Sequence, residues 1–178
     1  RAMDRSFNRV TVDGDESTSD TVAVLANGLA ENAPLERSGR GLRQFRQALE
    51  AVAEKLAKML VQDGEGATKL VQVRVSGART RREALIAARS VANSPLVKTA
   101  ICGADPNWGR IMMALGKQTA AKVAPERVAI RIGDEVLVEK GMHLVQRVPG
   151  DGVGGVAARD RAVASRRRGE AKLVRAAV

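Results

Sequence analysis

The chain has 178 residues, of which 44% are hydrophobic and 28% charged, a composition that excludes a disordered polypeptide and indicates a globular one. Its single cysteine, Cys102, excludes an internal disulfide, and neither a signal peptide nor an apolar run of membrane-spanning length is visible. The net charge of +10 suggests a nucleic-acid partner, but residues 141–178, with eight Lys and Arg against three Asp and Glu, hold half of the excess.

The first 40 residues alternate short apolar runs with polar turns. Residues 7–12 predict a strand, and residues 21–26 predict a short buried strand, with a helix as the alternative. The acids between these runs offer oxygen ligands for a cation, but no glutamate stands at the terminal position of an EF-hand loop. Asp13 and Asp15 are therefore interpreted as turn residues whose side chains bond nearby backbone amides. Residues 29–40 predict a surface loop.

The longest periodic pattern in the chain predicts an amphipathic helix over residues 41–62. Its apolar side chains recur at three- and four-residue steps, a spacing that places them on one face, which normally packs against a core. These side chains are Leu42, Phe45, Leu49, Val52, Leu56, Met59 and Leu60. The opposite face is polar, and Glu54 and Lys58 form a favourable i,i+4 pair on it.

The helix leads into residues 63–69, where Gly64 and Gly66 flank Glu65. Two glycines let the backbone bend sharply and approach a small ligand closely. Glu65 follows the C-terminal end of the helix, where the helix dipole does not favour a negative charge, so the carboxylate is suited to binding a cation such as an amine. The alternative is an ordinary glycine turn with a solvated glutamate, and the spacing alone favours that alternative.

Strands and helices alternate after this turn. Residues 70–76 predict a strand and residues 80–93 an amphipathic helix that ends at Ser94 and Pro95. Residues 96–103 predict a short buried strand, or a helical turn that leads into one.

A turn at residues 104–110 then opens a helix over residues 111–116. Residues 128–132 and 135–138 predict a hairpin around Gly133 and Asp134. The alternation predicts a layered α/β or α+β domain over residues 1–140. Residues 141–178 form a basic extension rich in Gly, Ala and Arg, to which no regular structure is assigned.

Four stretches, in their order and spacing, carry a resemblance to a known family. They are residues 6–18 (SFNRVTVDGDEST), 63–69 (DGEGATK), 92–100 (ANSPLVKTA) and 103–110 (GADPNWGR). Together they resemble the β chain of the bifunctional ornithine acetyltransferase (glutamate N-acetyltransferase) of arginine biosynthesis, over roughly residues 1–140. The resemblance implies an α/β layered sandwich of the self-processing N-terminal-threonine acetyltransferase and aminopeptidase type, incomplete without the family's α chain.

The resemblance also implies an activity. Members of this family cut themselves before a threonine, which takes the acetyl group from N2-acetylornithine as an acetyl-enzyme and passes it to glutamate. Some members also use acetyl-CoA as a co-substrate, and the resemblance implies no other cofactor and no metal. The partners it implies are an α chain of the same precursor, in an α2β2 heterotetramer in the cytoplasm, and the small-molecule substrates, without membrane or nucleic acid.

Carried over residue by residue, the resemblance makes Glu65 the glutamate that binds the substrate, through a charge-assisted pair with an amine. Asp105, Asn107 and Arg110 match a family signature and are expected to support the pocket wall. Lys69 is expected to supply charge beside the pocket, with an ordinary surface lysine as the alternative.

Three other residues receive their interpretation from the same comparison. Lys98, like Lys69, is expected to supply charge beside the pocket, with an ordinary surface lysine as the alternative. Trp108 is expected to anchor the core and not to stack on a ligand. His143, the single histidine, lies in the part that does not resemble the family and is assigned no role.

The chain departs from the family pattern in three ways. It opens at Arg1, downstream of the nucleophilic threonine, so it contains no catalytic residue and we expect a processed or partial chain. The α chain, which supplies the oxyanion-stabilising groups, is a separate polypeptide. Residues after about 141 do not resemble the family's ending, and we expect no acetyl transfer by the isolated chain.

Two hypotheses stand beside the acetyltransferase. One is a non-catalytic remnant of the family that assembles with an α chain. The other is a basic nucleic-acid-binding module, although the chain lacks aromatic platforms for single strands and any zinc-finger or RNA-recognition signature. A self-processing aminopeptidase is a further enzyme alternative.

Overall fold

The computed structural model describes residues 1–144 and 171–177 of the chain. Contacts divide the chain into two compact units, Arg1–Glu65 and Gly66–Val178. The domain boundary expected between residues 140 and 141 stays a prediction.

The first unit contains one long helix, α1 (Arg40–Gln62), which confirms the helix predicted over residues 41–62. Short 3-10 turns at Met3–Arg5 and Phe7–Arg9 precede it. On α1, the Glu50 carboxylate binds the Arg5 guanidinium at 2.7 Å, which ties the first turn to the helix. The predicted pair of Glu54 and Lys58 is also formed, at 2.9 Å.

The two strands predicted before α1 are not formed. Phe7–Arg9 is a 3-10 turn, and residues 10–39 contain only turns, bends and irregular backbone. The side chains of Val22, Val24 and Leu25 are exposed. A strand needs a neighbour for its backbone groups, and the first unit holds no strand with which these runs could pair.

The turn interpretation of the acidic segment is confirmed. The amide N–H of Asp15 donates to the Asp13 carboxylate at 2.8 Å, and that of Ser19 donates to the Ser17 hydroxyl at 3.1 Å. Each is a side chain that bonds the backbone two residues on, the usual use of Asp and Ser in turns.

The second unit is built on a mixed five-stranded sheet with the order β1-β5-β2-β3-β4. Strands β1 and β5 are parallel, and the other neighbours are antiparallel. The strands are β1 (Val71–Ser76), β2 (Ile130–Ile132), β3 (Glu135–Glu139), β4 (Met142–His143) and β5 (Ala171–Ala177). The helices are α2 (Arg81–Ala92), α3 (Pro95–Cys102) and α4 (Trp108–Gly116).

One hydrophobic core joins the three helices of this unit to the sheet. Every second residue of β1 (Val71, Val73 and Val75) packs against it, as the period-two pattern predicts. The buried members are Ala87, Val91, Val97, Ile111, Ala114, Leu115, Val128, Ile130, Leu137 and Val138. This arrangement of helices on a sheet confirms the predicted α/β class.

The segment 96–103 is not a strand: residues 96–102 belong to helix α3, and Gly103 is its C-cap. Ser94 caps this helix by accepting the N–H of Val97 at 3.4 Å, and Pro95 occupies the first helical position, where a missing N–H is harmless. The Ser-Pro pair therefore both follows the end of α2 and begins α3. The short apolar run carried no periodicity that separates strand from helix.

The hairpin predicted around Gly133 and Asp134 is confirmed, with Ile132 paired to Glu135 across the turn. Strand β5, by contrast, lies in the extension for which the sequence predicts no regular structure. It lies between β1 and β2, so its pairing partners are distant in sequence and not visible in its own local pattern.

Candidate functional site

Glu65 lies in the turn that follows α1, as the sequence predicts. Asp63 is the C-cap of α1, and its N–H donates to the Met59 carbonyl at 3.0 Å. Gly66 has a φ of +68°, and no atom lies within 4 Å of the place where a Cβ would stand. The Glu65 side chain is exposed and makes no hydrogen bond or ion pair with any described residue. The predicted glycine turn is therefore present, and the Glu65 carboxylate on it has no partner among the described residues.

Lys69 is committed to the C-terminal end of α3. Its Nζ donates to the carbonyl oxygens of Ile101 at 2.5 Å and Cys102 at 2.9 Å. The last carbonyls of a helix have no partner within the helix, and a cation there also complements the helix dipole. Lys69 is therefore a capping group for α3.

The turn after α3 also caps the C-terminal end of this helix, through backbone hydrogen bonds. Asp105 N–H donates to Ala100 O at 2.8 Å, and Ala104 N–H donates to Ile101 O at 3.1 Å. These two bonds define a Schellman motif, which needs a left-handed residue at the position of Ala104. Ala104 has a φ of +56°, although alanine is disfavoured there.

Asn107 and Arg110 join α4 to this turn and to α3. The Asn107 side chain accepts the Arg110 N–H at 3.2 Å as the N-cap of α4, and it donates to the Asp105 carboxylate at 3.1 Å. The Arg110 guanidinium donates to Leu96 O at 2.9 Å and to the Thr99 hydroxyl at 3.0 Å. The signature residues therefore hold the α3–α4 corner together.

Trp108, the first residue of α4, packs against the hydrophobic core, which confirms its interpretation as an anchor. The structure thus brings Lys69, Asp105, Asn107 and Arg110 together at one corner of the second unit. Glu65 is the last residue of the first unit. The binding role of Glu65 and the pocket-support role of the other four stay predictions.

An open depression of about 400 Å³ lies at the start of α2, and none of the predicted site residues lines it. Arg79 binds Glu83 at 2.7 Å, and the Thr80 hydroxyl caps α2 by accepting the Glu83 N–H at 3.1 Å. Thr followed three residues later by Glu is a sequence signal for the start of this helix. No local pattern, however, indicates that the distant residues Lys122 and Arg127 lie beside it. The lining residues are Gly77, Arg79, Glu83, Lys122, Ala124 and Arg127.

The described residues form no group of three or more His, Cys, Asp or Glu side chains with the arrangement of metal ligands. No helix among them is a candidate membrane span. His143 lies in β4, and its side chain is outside the described part of the structure.

Comparisons with known proteins agree on one family. The profile of the ArgJ family matches residues 1–151. The arginine biosynthesis bifunctional protein ArgJ of Bacillus licheniformis is 50% identical over 134 residues, which are 75% of this chain and 33% of that protein. The protein of the same name from Geobacter sulfurreducens is 50% identical over 142 residues, 80% of this chain and 36% of that protein.

The fold agrees with the sequence comparisons. The crystal structure of the arginine biosynthesis bifunctional protein ArgJ from Bacillus halodurans matches with a TM-score of 0.83 and 39% identity, over 97% of this chain and 76% of that chain. The chain spans about a third of the length of the curated relatives it matches. Because profile, relatives and solved structure all confirm the resemblance carried by the four sequence motifs, the chain belongs to the ArgJ family.

Proposed function

We propose that this chain supplies part of the substrate pocket of an acetyltransferase, a glutamate N-acetyltransferase that moves an acetyl group from N2-acetylornithine to glutamate through an acetyl-threonine enzyme. Membership of the ArgJ family supports the reaction class, since its curated relatives are named as bifunctional proteins of arginine biosynthesis. The nucleophile and the oxyanion-stabilising groups come from other parts of the family's polypeptide. The isolated chain is accordingly inactive, and it works with an α chain, as α2β2, in the cytoplasm.

The observation that carries this proposal is the uncommitted carboxylate of Glu65 on the glycine turn. An exposed carboxylate without a described partner is free to accept hydrogen bonds from an ammonium group. N2-acetylornithine carries such a group at the end of its side chain, whereas the α-amine of glutamate has to attack the acetyl-enzyme. The carboxylate therefore orients the acetyl donor, and transfer through a covalent intermediate predicts ping-pong kinetics.

The α3–α4 corner has a supporting role in this proposal. Lys69, four residues along the chain from Glu65, is held on α3 by two charge-assisted hydrogen bonds. Such a fixed point restricts the conformations of the glycine segment that precedes it. Pre-ordering of a binding group lowers the entropy lost when a substrate binds. Acetyl-CoA is an additional acetyl donor in the proposed reaction.

The experiment extends this chain at Arg1 by the threonine-bearing segment that precedes the matched region in the Geobacter sulfurreducens relative, joins it to the α chain of that relative, and measures acetyl transfer from N2-acetylornithine to glutamate. Loss of a hydrogen bond to a charged group costs about 1.5–3 kcal/mol, so Glu65→Gln should raise the KM for N2-acetylornithine about 10- to 100-fold. Glu126→Gln, another exposed carboxylate, is the matched control and should leave the KM unchanged.

The outcomes separate the hypotheses. A complex that forms and turns over, with the KM defect confined to Glu65→Gln, supports the proposal. A complex without turnover identifies a non-catalytic family member. Hydrolysis of peptides in place of acetyl transfer identifies an aminopeptidase. Equal KM values for wild type and Glu65→Gln would refute the role of Glu65.

A further inference from the structure

The depression at the start of α2 lies apart from the α3–α4 corner. Lys69 of that corner precedes β1, whereas Gly77, which lines the depression, follows the same strand. The six residues of β1 separate the two places by about 20 Å, at about 3.3 Å per residue. In α/β sheets, ligands are commonly bound outside the carboxyl ends of the strands, and Gly77 places the depression at that end of β1. It is therefore a candidate for a separate binding site in the second unit.

The charges that line this depression are predominantly positive. Arg79, Lys122 and Arg127 supply three cations, against the single carboxylate of Glu83. Arg79 is paired with Glu83 at 2.7 Å, so its charge is largely balanced. Lys122 and Arg127 are exposed and form no ion pair with any described residue. The depression therefore offers two cations to a ligand that carries two negative charges.

The segment that carries Lys122 and Arg127 is held in place at both ends. Before it, the Gln118 side chain binds both backbone groups of Ala121, accepting the N–H at 2.7 Å and donating to the carbonyl at 2.6 Å. After it, Val128 is 0% exposed and belongs to the hydrophobic core. A binding group that is fixed in advance loses less entropy when a ligand binds. The two cations therefore belong to a segment whose backbone is ordered before a ligand arrives.

The chemistry of these groups selects the ligand. A phosphate monoester carries about −1.5 to −2 charges at pH 7 and three acceptor oxygens on one phosphorus. The planar guanidinium of Arg127 matches two of those oxygens, and the ammonium group of Lys122 supplies a compact charge for the third. A volume of about 400 Å³ lies within the range of small-molecule sites and leaves room for the organic part of an ester. We propose that this depression binds a small phosphate monoester through Lys122 and Arg127, with Arg79 as the third cation.

The test measures the binding of inorganic phosphate and of glycerol 3-phosphate to the full chain by isothermal titration calorimetry in a buffer without phosphate. Lys122→Gln with Arg127→Gln should weaken the binding of both about tenfold or more, since a hydrogen bond to a charged group is worth about that factor. The matched control, Lys117→Gln with Arg131→Gln, removes the same two residue types at exposed positions outside the depression and should bind like wild type. Circular dichroism of each variant checks that the chain is still folded, as expected for substitutions at exposed positions.

Glu83→Gln tests the charge argument from the opposite direction. Glutamine keeps the size of the side chain but removes the negative charge that repels an anion and balances Arg79. Phosphate should therefore bind several-fold more tightly to this variant than to wild type. Unchanged or weaker binding would contradict the proposal.

Three other results would overturn the site. Equal losses in the double variant and in its control would show that phosphate follows only the overall positive charge of the chain. Wild-type affinity in the double variant would place the bound phosphate elsewhere on the chain. Tighter binding of succinate than of glycerol 3-phosphate would identify a dicarboxylate as the ligand. None of these measurements involves acetyl transfer, so their results are independent of the proposed function.

Discussion

Replacement of Lys69 by methionine tests whether the α3–α4 corner is a structural unit. Methionine keeps the length and the apolar stem of the side chain but removes the ammonium group that binds Ile101 O and Cys102 O. The two carbonyls at the end of α3 then lose a charged donor. Cys102 is exposed, so water can replace part of the lost bonding.

The expected magnitude follows from these contacts. A hydrogen bond to a charged group contributes about 1.5–3 kcal/mol, but the side chain is only partly buried and solvent screens its charge. We therefore expect Lys69→Met to lower the free energy of unfolding by about 1–3 kcal/mol. For a chain of this size that corresponds to a fall in Tm of roughly 2–10 °C.

The single tryptophan makes the assay direct. Trp108 begins α4 at the same corner and packs on the core, so its fluorescence during urea unfolding reports on the second unit. Lys122→Met is the matched control, since Lys122 is exposed and has no ion pair among the described residues. This control should change stability by less than about 0.5 kcal/mol. If both variants unfold at the same urea concentration, the capping role of Lys69 is wrong.

Three further changes have outcomes that the structure predicts. Leu115 is only 1% exposed, so Leu115→Ala should lower the free energy of unfolding, measured in urea, by about 2–5 kcal/mol. A decrease below about 1 kcal/mol, as at an exposed site, would contradict its place in the core. Gly141→Ala places a Cβ 2.5 Å from a backbone oxygen, at a φ of +72°. It should lower the Tm far more than Gly133→Ala, where φ is +60° but no atom lies within 4 Å of the added Cβ. Similar Tm values for the two variants would disprove this. Ala104→Gly should raise stability by about 0.5–1 kcal/mol, because glycine adopts a φ of +56° without strain, and a destabilised variant would show that no strain is stored there.

Part of the candidate site could be predicted from the sequence and part could not. The glycine turn that presents Glu65 rests on local chemistry, so a short motif predicts it, whereas α4 begins at Trp108, three residues before the predicted start. The attachment of Lys69 to α3 joins residues 32 and 33 positions apart, which no local pattern reveals. The depression lined by Arg79, Lys122 and Arg127 arises in the same way, from segments that only the fold brings together.

The sequence by itself determined the elements with a clear period: α1, α2, β1 and the hairpin of β2 and β3. It also determined membership of the ArgJ family, through four short motifs in register. Only the tertiary structure decided that residues 7–12 and 21–26 form no strands, that residues 96–102 lie in a helix, and that β5 pairs between β1 and β2. The physical reason is that a periodic pattern shows which side chains favour burial but not what buries them. The element that packs against a given face lies elsewhere in the chain or in another polypeptide, so its local pattern does not reveal it.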